Sequence, residues 1–130
     1  MSLRFEIFTA DLDSVVAFYT QVLGFTLIRD ERAAPVGYVA LDRDAVYIGA
    51  AYRDDPIDRS ARRPPTGIEL VLEVDDLEAD HDRVVASGWP IEEPRQDRPW
   101  GLTDFRILDP AGHYLRITTD RRGDHSAPQQ

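Results

Sequence analysis

The chain has 130 residues, 42% of them hydrophobic, which is enough to fill the core of one ordinary domain. Its formal net charge of −9 argues against a nucleic-acid partner, because phosphate binding requires a basic face. The lack of cysteine excludes disulfides, thiolate metal ligands and a cysteine nucleophile. Since no apolar stretch approaches the ~18 residues of a membrane span, we expect no membrane association and a soluble cytoplasmic protein.

The first predicted elements are a strand and a helix that occur twice. The segment 4–13 corresponds to the segment 69–78 at a shift of 65. In both copies, alternating polarity gives way at an acidic turn to helical spacing. Asp11 or Asp13 is the candidate N-cap of the first helix, and Asp75 or Asp76 that of the second.

Each predicted helix carries one apolar stripe and ends at a glycine. The first stripe comprises Leu12, Val15, Val16, Tyr19, Val22 and Leu23, with Gly24 as the stop. The second comprises Leu77, Val84 and Val85, with Gly88 as the stop. Both helices therefore have one face to bury.

Further along, the turn at residues 42–49 corresponds to that at 109–116 at a shift of 67. Each turn joins two predicted strands, Tyr38–Asp42 to Val46–Tyr52 and Asp104–Asp109 to Tyr114–Thr119. The sequence thus predicts two modules, about 1–52 and 67–119, within one domain covering 1–119. The charged, proline-containing segment 53–66 is the predicted linker, and the polar segment 120–130 a loose tail.

The order of these motifs resembles the glyoxalase, bleomycin resistance and dioxygenase superfamily, also called vicinal oxygen chelate proteins. The resemblance spans nearly all of residues 4–119. It rests on the Asp11–Leu12–Asp13 turn, Phe18 and Tyr19 with Leu23–Gly24–Phe25, Val74–Leu77, and Asp109–Pro110–Ala111–Gly112–His113. It implies an α+β fold in which two tandem βαβββ modules form a curved, cup-shaped mixed sheet with helices outside. It also implies a homodimer.

In enzymes of that superfamily the cup holds a divalent metal, bound from the first and last strands of each module. The matching positions here are Arg4, Glu69, Gly49 and Arg116. A protonated guanidinium offers no lone pair to a metal, so this set predicts no metal site and no cofactor. Arg4 or Arg116 could clamp an anionic group of a ligand, or Glu69 could simply pair with one or both arginines.

Strand alternation predicts which other side chains share the face of these positions, here called the cup face. Beyond the four positions above, its predicted members are Glu6, Phe8, Tyr47, Ala51, Val71, Glu73, Tyr114 and Thr118. The opposite face should pack on the helices through Phe5, Ile7, Leu70, Leu72, Leu115 and Ile117. A cup face with aromatic rings and carboxylates suits a flat or cationic organic ligand, although the same mixture could be a filled interior.

Two tryptophans receive different interpretations. Trp100 stands before a predicted strand, where bleomycin resistance-like members carry a similar approach to their ligand groove, so it is a candidate stacking wall for a ligand. It could equally fill a subunit interface. Trp89 is predicted to be a core or edge aromatic.

Two classes of function follow. The first is a metal-independent binding protein for a small molecule, of the bleomycin resistance type, sequestering a cationic or aromatic antibiotic. The second is an enzyme of the same fold, a lyase, isomerase or dioxygenase-like protein, working with no metal or an atypical one. In the enzyme, Glu69 would be the first candidate general base, with Glu73 and Glu6 as others.

Overall fold

The computed structural model describes residues 1–54, 65 and 67–119. Its eight strands are β1 (Arg4–Thr9), β2 (Thr26–Glu31), β3 (Tyr38–Arg43), β4 (Val46–Tyr52), β5 (Leu70–Val74), β6 (Glu93–Asp97), β7 (Thr103–Leu108) and β8 (Tyr114–Thr119). Its helices are α1 (Leu12–Ala17), continued by a π-helical turn (Phe18–Val22), and α2 (Leu77–Ser87). Most of the predicted linker 53–66 and all of the predicted tail 120–130 lie outside the described residues.

The strands form two four-stranded mixed sheets, one from each half of the chain. The first has the order β1-β4-β3-β2 and the second the order β5-β8-β7-β6. In both, the strand before the helix pairs in parallel with the last strand, and the other pairs are antiparallel. The α+β class and the tandem βαβββ modules predicted from the repeat are therefore confirmed, with the eight strands divided between two sheets.

Of the two candidates at each helix start, Asp11 is the N-cap of α1 and Asp76 is the N-cap of α2. The carboxylate of Asp11 accepts the Ser14 N–H at 3.0 Å, and that of Asp76 accepts the Ala79 N–H at 3.0 Å. These bonds satisfy backbone donors that the first helical turn leaves unpaired. At the other end of α2, Gly88 adopts a left-handed φ of 78°, which favours glycine and stops the helix.

The predicted apolar stripe of α1 is buried along its whole length, together with Phe18. The stripe of α2 is only partly confirmed. Leu77 and Val84 are buried, but Val85 is 56% exposed, so its placement on the stripe was wrong. The buried position between Leu77 and Val84 belongs instead to Asp80, whose charge is neutralised by arginines.

One continuous core joins the helical sides of both modules. The predicted helix-facing residues of the strands lie in it or against it, including Phe5 and Leu70 at its margin. Three further contacts cross between the modules. Tyr19 donates to buried Asp109 at 2.7 Å, Phe18 packs on Trp89 with ring centroids 4.7 Å apart, and Arg43 reaches Asp80 at 2.6 Å. Trp89 is partly buried against this core, which agrees with its prediction as a core or edge aromatic.

Candidate functional site

The candidate site is built on the cup faces of the two sheets, which point away from the core. Ile7 on β1 and Ile48 on β4 are buried in the core. Because side chains alternate along a strand, the neighbours of each isoleucine point to the opposite face. The same alternation on β7 and β8, with Phe105, Ile107, Leu115 and Ile117 buried, places the residues between them on the second cup face.

On the first sheet the predicted residues meet in one polar and aromatic cluster. The Arg4 Nε lies 2.9 Å from Glu6 Oε1, and the Arg4 guanidinium lies 5.6 Å from the centre of the Tyr47 ring. The hydroxyl of Tyr38, which the sequence did not single out, donates to Glu6 Oε1 at 3.2 Å. Partial burial, and then the nearby Glu6 carboxylate, raise the pKa of Tyr38.

Gly49 lies at the centre of this cluster, where the neighbouring side chains leave no room for a Cβ atom. Its partners across the sheet are Glu6 on β1 and Ala40 on β3. A Cβ at position 49 would collide with the Tyr38 hydroxyl and the Glu6 carboxylate. The glycine therefore lets these two side chains lie flat across the sheet, close to the β4 backbone.

Phe8 completes the first cup face near the end of β1. Its side chain is 47% exposed, and the Arg53 guanidinium lies 4.3 Å from the centre of its ring. An exposed aromatic ring under a cation is a preformed stacking surface. Phe8 thus adds an apolar platform to the carboxylate and phenol groups of this sheet.

On the second sheet, Glu69 and Arg116 form a direct ion pair, with Oε1 and Nη2 2.7 Å apart. Arg106, the cross-strand partner of Arg116, lies between two carboxylates. Its Nη2 is 3.9 Å from Glu69 Oε2, and its Nη1 is 3.1 Å from Glu93 Oε2. Tyr114 donates to the same Glu93 oxygen at 3.3 Å.

Arg98 forms further ion pairs with Asp104 and with Glu93 of this cluster. Arg98 donates through Nε and Nη2 to Asp104, which is almost fully buried, and through Nη2 to Glu93 Oε1 at 3.0 Å. The hydrogen bond from Arg98, followed by the charge of Arg106, holds the pKa of Glu93 below its usual range. Glu93 is thereby kept ionised and fixed in position.

The two clusters bring the predicted residues together in two groups. Arg4, Glu6, Phe8, Tyr47 and Gly49 share the first cup face, and the ion pair of Arg4 with Glu6 stays on that sheet. Glu69, Val71, Glu73, Tyr114 and Arg116 share the second. Glu69 therefore pairs with Arg116, whereas Arg4 pairs with Glu6.

Three important members of the clusters were missed by sequence reasoning. They are Tyr38, Glu93 and Arg106, which lie on β3, β6 and β7. Alternation within β7 would have placed Arg106 on the cup face, since Phe105 and Ile107 on either side are apolar. Glu93 carried no comparable signal, because β6 has little apolar alternation and its register with β7 is irregular.

Two hollows flank the turn between β3 and β4. One, of about 260 Å³, reaches Val71 and Glu73 on the second sheet, and the other, of about 360 Å³, reaches Arg4 and Tyr47 on the first. Trp100 lies half-buried in the turn between β6 and β7, where the Gly101 N–H donates to the Arg98 carbonyl at 3.0 Å. Its role as a ligand wall stays a prediction.

Comparison with known proteins gives this geometry a family. The family model described as Glyoxalase/Bleomycin resistance protein/Dioxygenase superfamily matches residues 3–117. The chain belongs to that superfamily. Among curated proteins, none matches the chain.

Solved structures agree with the superfamily assignment. TioX from Micromonospora sp. ML1 has 26% identity and a TM-score of 0.73, over 92% of this chain and 98% of that one. A bleomycin resistance determinant encoded on transposon Tn5 has 23% identity and a TM-score of 0.72, over 93% and 98%. A bleomycin-binding protein solved in complex with bleomycin has 23% identity and a TM-score of 0.70, over 93% and 99%. The last two likenesses establish the fold.

The residues at the superfamily's metal positions do not fit a divalent ion. Arg4 and Arg116 are guanidinium cations without acceptor atoms, and Gly49 has no side chain. Glu69 is the single potential donor of the four, and one of its oxygens is held by Arg116 at 2.7 Å. Within residues 1–54, 65 and 67–119, no group of three or more His, Cys, Asp or Glu side chains has the arrangement of a metal site.

The described part of the chain also contains no helix that is long and apolar enough to cross a membrane.

Proposed function

We propose that this protein binds a small organic molecule on its cup faces and does so without a metal ion. The observation that carries the proposal is the ion pair between Glu69 and Arg116, which occupies positions where superfamily enzymes bind their metal. A fixed guanidinium places positive charge at these positions but cannot act as a Lewis acid. Binding by shape, stacking and hydrogen bonds remains available to such a surface.

The first cup face indicates the chemistry of the ligand. Phe8 and Tyr47 offer ring faces, while Glu6 and the Tyr38 hydroxyl offer polar contacts. Such a surface is suited to a flat ring system that carries a cationic group. The net charge of −9 attracts cations at long range. Bleomycin-type glycopeptides, which are cationic, are therefore the first ligands to test, and sequestration of such an antibiotic is the proposed role.

The same proposal includes a homodimer in which two chains complete the cup. Each sheet ends in a strand, β1 or β5, that has one hydrogen-bonded neighbour among the described strands. Large apolar side chains are exposed on or beside both strands: Leu3, Phe8, Ile68 and Val71. Exposed apolar edges favour association. Because the internal repeat relates β1 to β5, placing β1 of one chain beside β5 of a second copy would join the two cup faces.

The alternative is a metal-free enzyme of the same fold with Glu6, Glu69 or Glu73 as a general base. The observation that favours it is the Glu6–Tyr38 hydrogen bond on an accessible face, because carboxylate and phenol groups can share a proton with a substrate. However, Glu6 Oε1 lies 2.9 Å from Arg4 and Glu69 Oε1 lies 2.7 Å from Arg116, so an arginine already holds one oxygen of each carboxylate. Binding is therefore the better-supported function.

Thermal unfolding in the presence of candidate ligands tests the proposal. The first ligands are metal-free bleomycin and flat aromatic cations. Each is measured once with a chelator present and once with Zn²⁺, Mn²⁺ or Ni²⁺ added. At a ligand concentration of about a hundred times Kd, the free energy of unfolding should rise by about 2.7 kcal/mol. This corresponds to an increase in Tm of about 10 °C for a chain of this size.

The increase should be the same in chelator and in metal. A ligand that binds only after metal addition, or one tightly held metal ion per chain, would contradict metal-independent binding. Turnover of a bound compound with a pH-dependent rate would support the enzyme instead.

A further inference from the structure

A pair of arginines lies at the centre of the second cup face. Arg106 on β7 and Arg116 on β8 are direct cross-strand partners. The corresponding positions of the first sheet hold Ala40 and Gly49, which are also direct partners. Like charges directly opposite each other destabilise a sheet unless anions compensate them. The second sheet therefore needs acidic groups close to this pair.

The acidic groups on the second sheet compensate the pair incompletely. Glu69 serves Arg116 at 2.7 Å and lies 3.9 Å from Arg106. Glu93 is divided, because Oε1 accepts from Arg98 at 3.0 Å while Oε2 lies 3.1 Å from Arg106. The buried Asp104 is held by Arg98. Among residues 1–54, 65 and 67–119, the two arginines thus form ion pairs with one full carboxylate and with part of a second.

The Nε atoms of Arg106 and Arg116 indicate that a hydrogen-bond acceptor is missing from the described residues. All of these carboxylate contacts go to the terminal Nη atoms of Arg106 and Arg116. Both Nε atoms are buried and find no acceptor in the part of the chain that the structure describes. A buried donor without an acceptor costs stability. Through its Nε and Nη2 atoms, a guanidinium can also donate two parallel hydrogen bonds to a carboxylate or phosphate.

We propose that Arg106 and Arg116 together bind the oxyanion of an aromatic ligand, a carboxylate or a phosphate ester. The two side chains are 22% and 25% exposed, so the pair can be reached from the cup face. The ligand oxyanion replaces the Glu69 carboxylate at Arg116, and the Arg116 guanidinium rotates so that its Nε and Nη2 both donate to the ligand. A second oxygen of the same group then binds Arg106. This inference rests on the proposed function and adds a second polar group to the ligand, since the first cup face favours a cation.

Neighbouring side chains provide the surface for the ligand's ring. The Tyr114 ring lies beside Arg106, with its centre 5.8 Å from the guanidinium carbon. Val71, the strand partner of Arg116, is 38% exposed. A flat ring that extends from an oxyanion on the two arginines can contact both residues. We therefore expect aromatic acids to bind this site more tightly than small inorganic anions do.

Benzoate and phenyl phosphate are the probes, with benzamide as the neutral analogue of benzoate. Each is titrated into ¹⁵N-labelled full-length protein, and the arginine side-chain Nε–H signals and the backbone signals of Val71 and Tyr114 are followed by NMR. Either anion should shift the Nε–H signals of Arg106 and Arg116 saturably, and benzamide should not. Saturable binding of benzamide with the same affinity as benzoate would overturn the proposal.

Variants locate the effect. Arg106→Met or Arg116→Met should weaken benzoate binding about tenfold or more, the loss expected for a charge-assisted bidentate contact. Arg106→Lys should also weaken binding, because lysine keeps the charge but loses the fork. Arg95→Met makes the same charge change at an exposed position of β6 and should leave the affinity unchanged. An equal affinity in the Arg106→Met protein and the wild type would overturn the proposal.

If a variant fails to fold, the wild-type titration still decides, because it needs no substitution. The two proposals also fail separately. If bleomycin or another cation binds while benzoate and phenyl phosphate leave the Nε–H signals unmoved, the oxyanion site is wrong and the binding function stands. If benzoate binds at the arginine pair while no cation binds, the oxyanion site stands and the cationic ligand is wrong.

Discussion

At the scale of single residues, the buried carboxylate of Asp80 forms ion pairs with arginines of both modules. It receives Arg43 at 2.6 Å from the other module and Arg83 at 2.9 Å from its own helix. The hydrogen bond that the Arg43 guanidinium donates to the Asp80 carboxylate raises the pKa of Arg43. We expect Asp80→Asn to lower the free energy of unfolding by about 3 kcal/mol, because it leaves Arg43 partly buried without its anion. Urea unfolding measures this loss.

The matched control for that substitution is Asp82→Asn, an exposed residue of the same helix. It should change the free energy of unfolding by less than about 0.5 kcal/mol. Equal losses in the two variants would mean that the loss follows from helix charge and not from the buried ion pair.

The buried phenol of Tyr19 makes stability depend on alkaline pH. Burial, and then the charge of Asp109, raise the pKa of Tyr19 well above its ordinary 10.0. The unfolded chain releases this proton near pH 10, whereas the folded chain retains it, so the free energy of unfolding should fall as pH rises above about 10. Tyr19→Phe should make that fall shallower.

The same substitution should lower stability at neutral pH by about 1–3 kcal/mol, since Asp109 loses a donor in a buried site. Tyr52→Phe removes a hydroxyl from an exposed side chain and should retain both the neutral stability and the alkaline slope of the wild type. Urea unfolding between about pH 8 and 11 separates the variants. If the free energy of unfolding falls equally steeply with pH in the Tyr19→Phe and wild-type proteins, Tyr19 is not responsible for the loss of stability at alkaline pH.

At the scale of elements, the start of α2 distinguishes two adjacent aspartates that the sequence could not. Asp76 accepts the Ala79 N–H at 3.0 Å and is the N-cap, whereas the exposed Asp75 is not. Asp76→Ala should therefore destabilise the protein by about 1 kcal/mol, and Asp75→Ala by a few tenths at most. Chemical unfolding of both variants tests the assignment, and a larger loss for Asp75→Ala would reverse it.

The helices and strands were largely predictable from the sequence, because the patterns that indicate them involve residues close together in the chain. The strand Tyr114–Thr119 and the helix stops at Gly24 and Gly88 follow from alternation and turn chemistry. Side-chain partners were less predictable, because they depend on register between strands. Gly49 looked like a lost metal ligand, but its proximity to Tyr38 and Glu6 depends on two neighbouring strands. Likewise, the repeat aligned Arg4 with Glu69 as equivalent residues, although equivalence does not imply contact.

At the scale of the whole molecule, the repeat predicted two similar modules but not the way in which they associate. The structure joins them on the helical side, through Tyr19 with Asp109 and Arg43 with Asp80. None of the four residues belongs to the cup-face pattern from which the site was predicted. Two cup faces are therefore left on one chain, and each carries only part of the predicted site.

A dimer that unites the two cup faces can be broken at one of its apolar edges. Val71 on β5 is 38% exposed, and a glutamate there would place a charge where β1 of a second copy is proposed to lie. The wild type should sediment at twice the mass of the chain, and Val71→Glu should sediment as a folded monomer with weaker binding of bleomycin. Val85→Glu makes the same change at an exposed position of α2 and should remain dimeric. If Val71→Glu also remains a dimer with full affinity, the two chains associate through another surface, and the cup faces of one chain must bind the ligand separately.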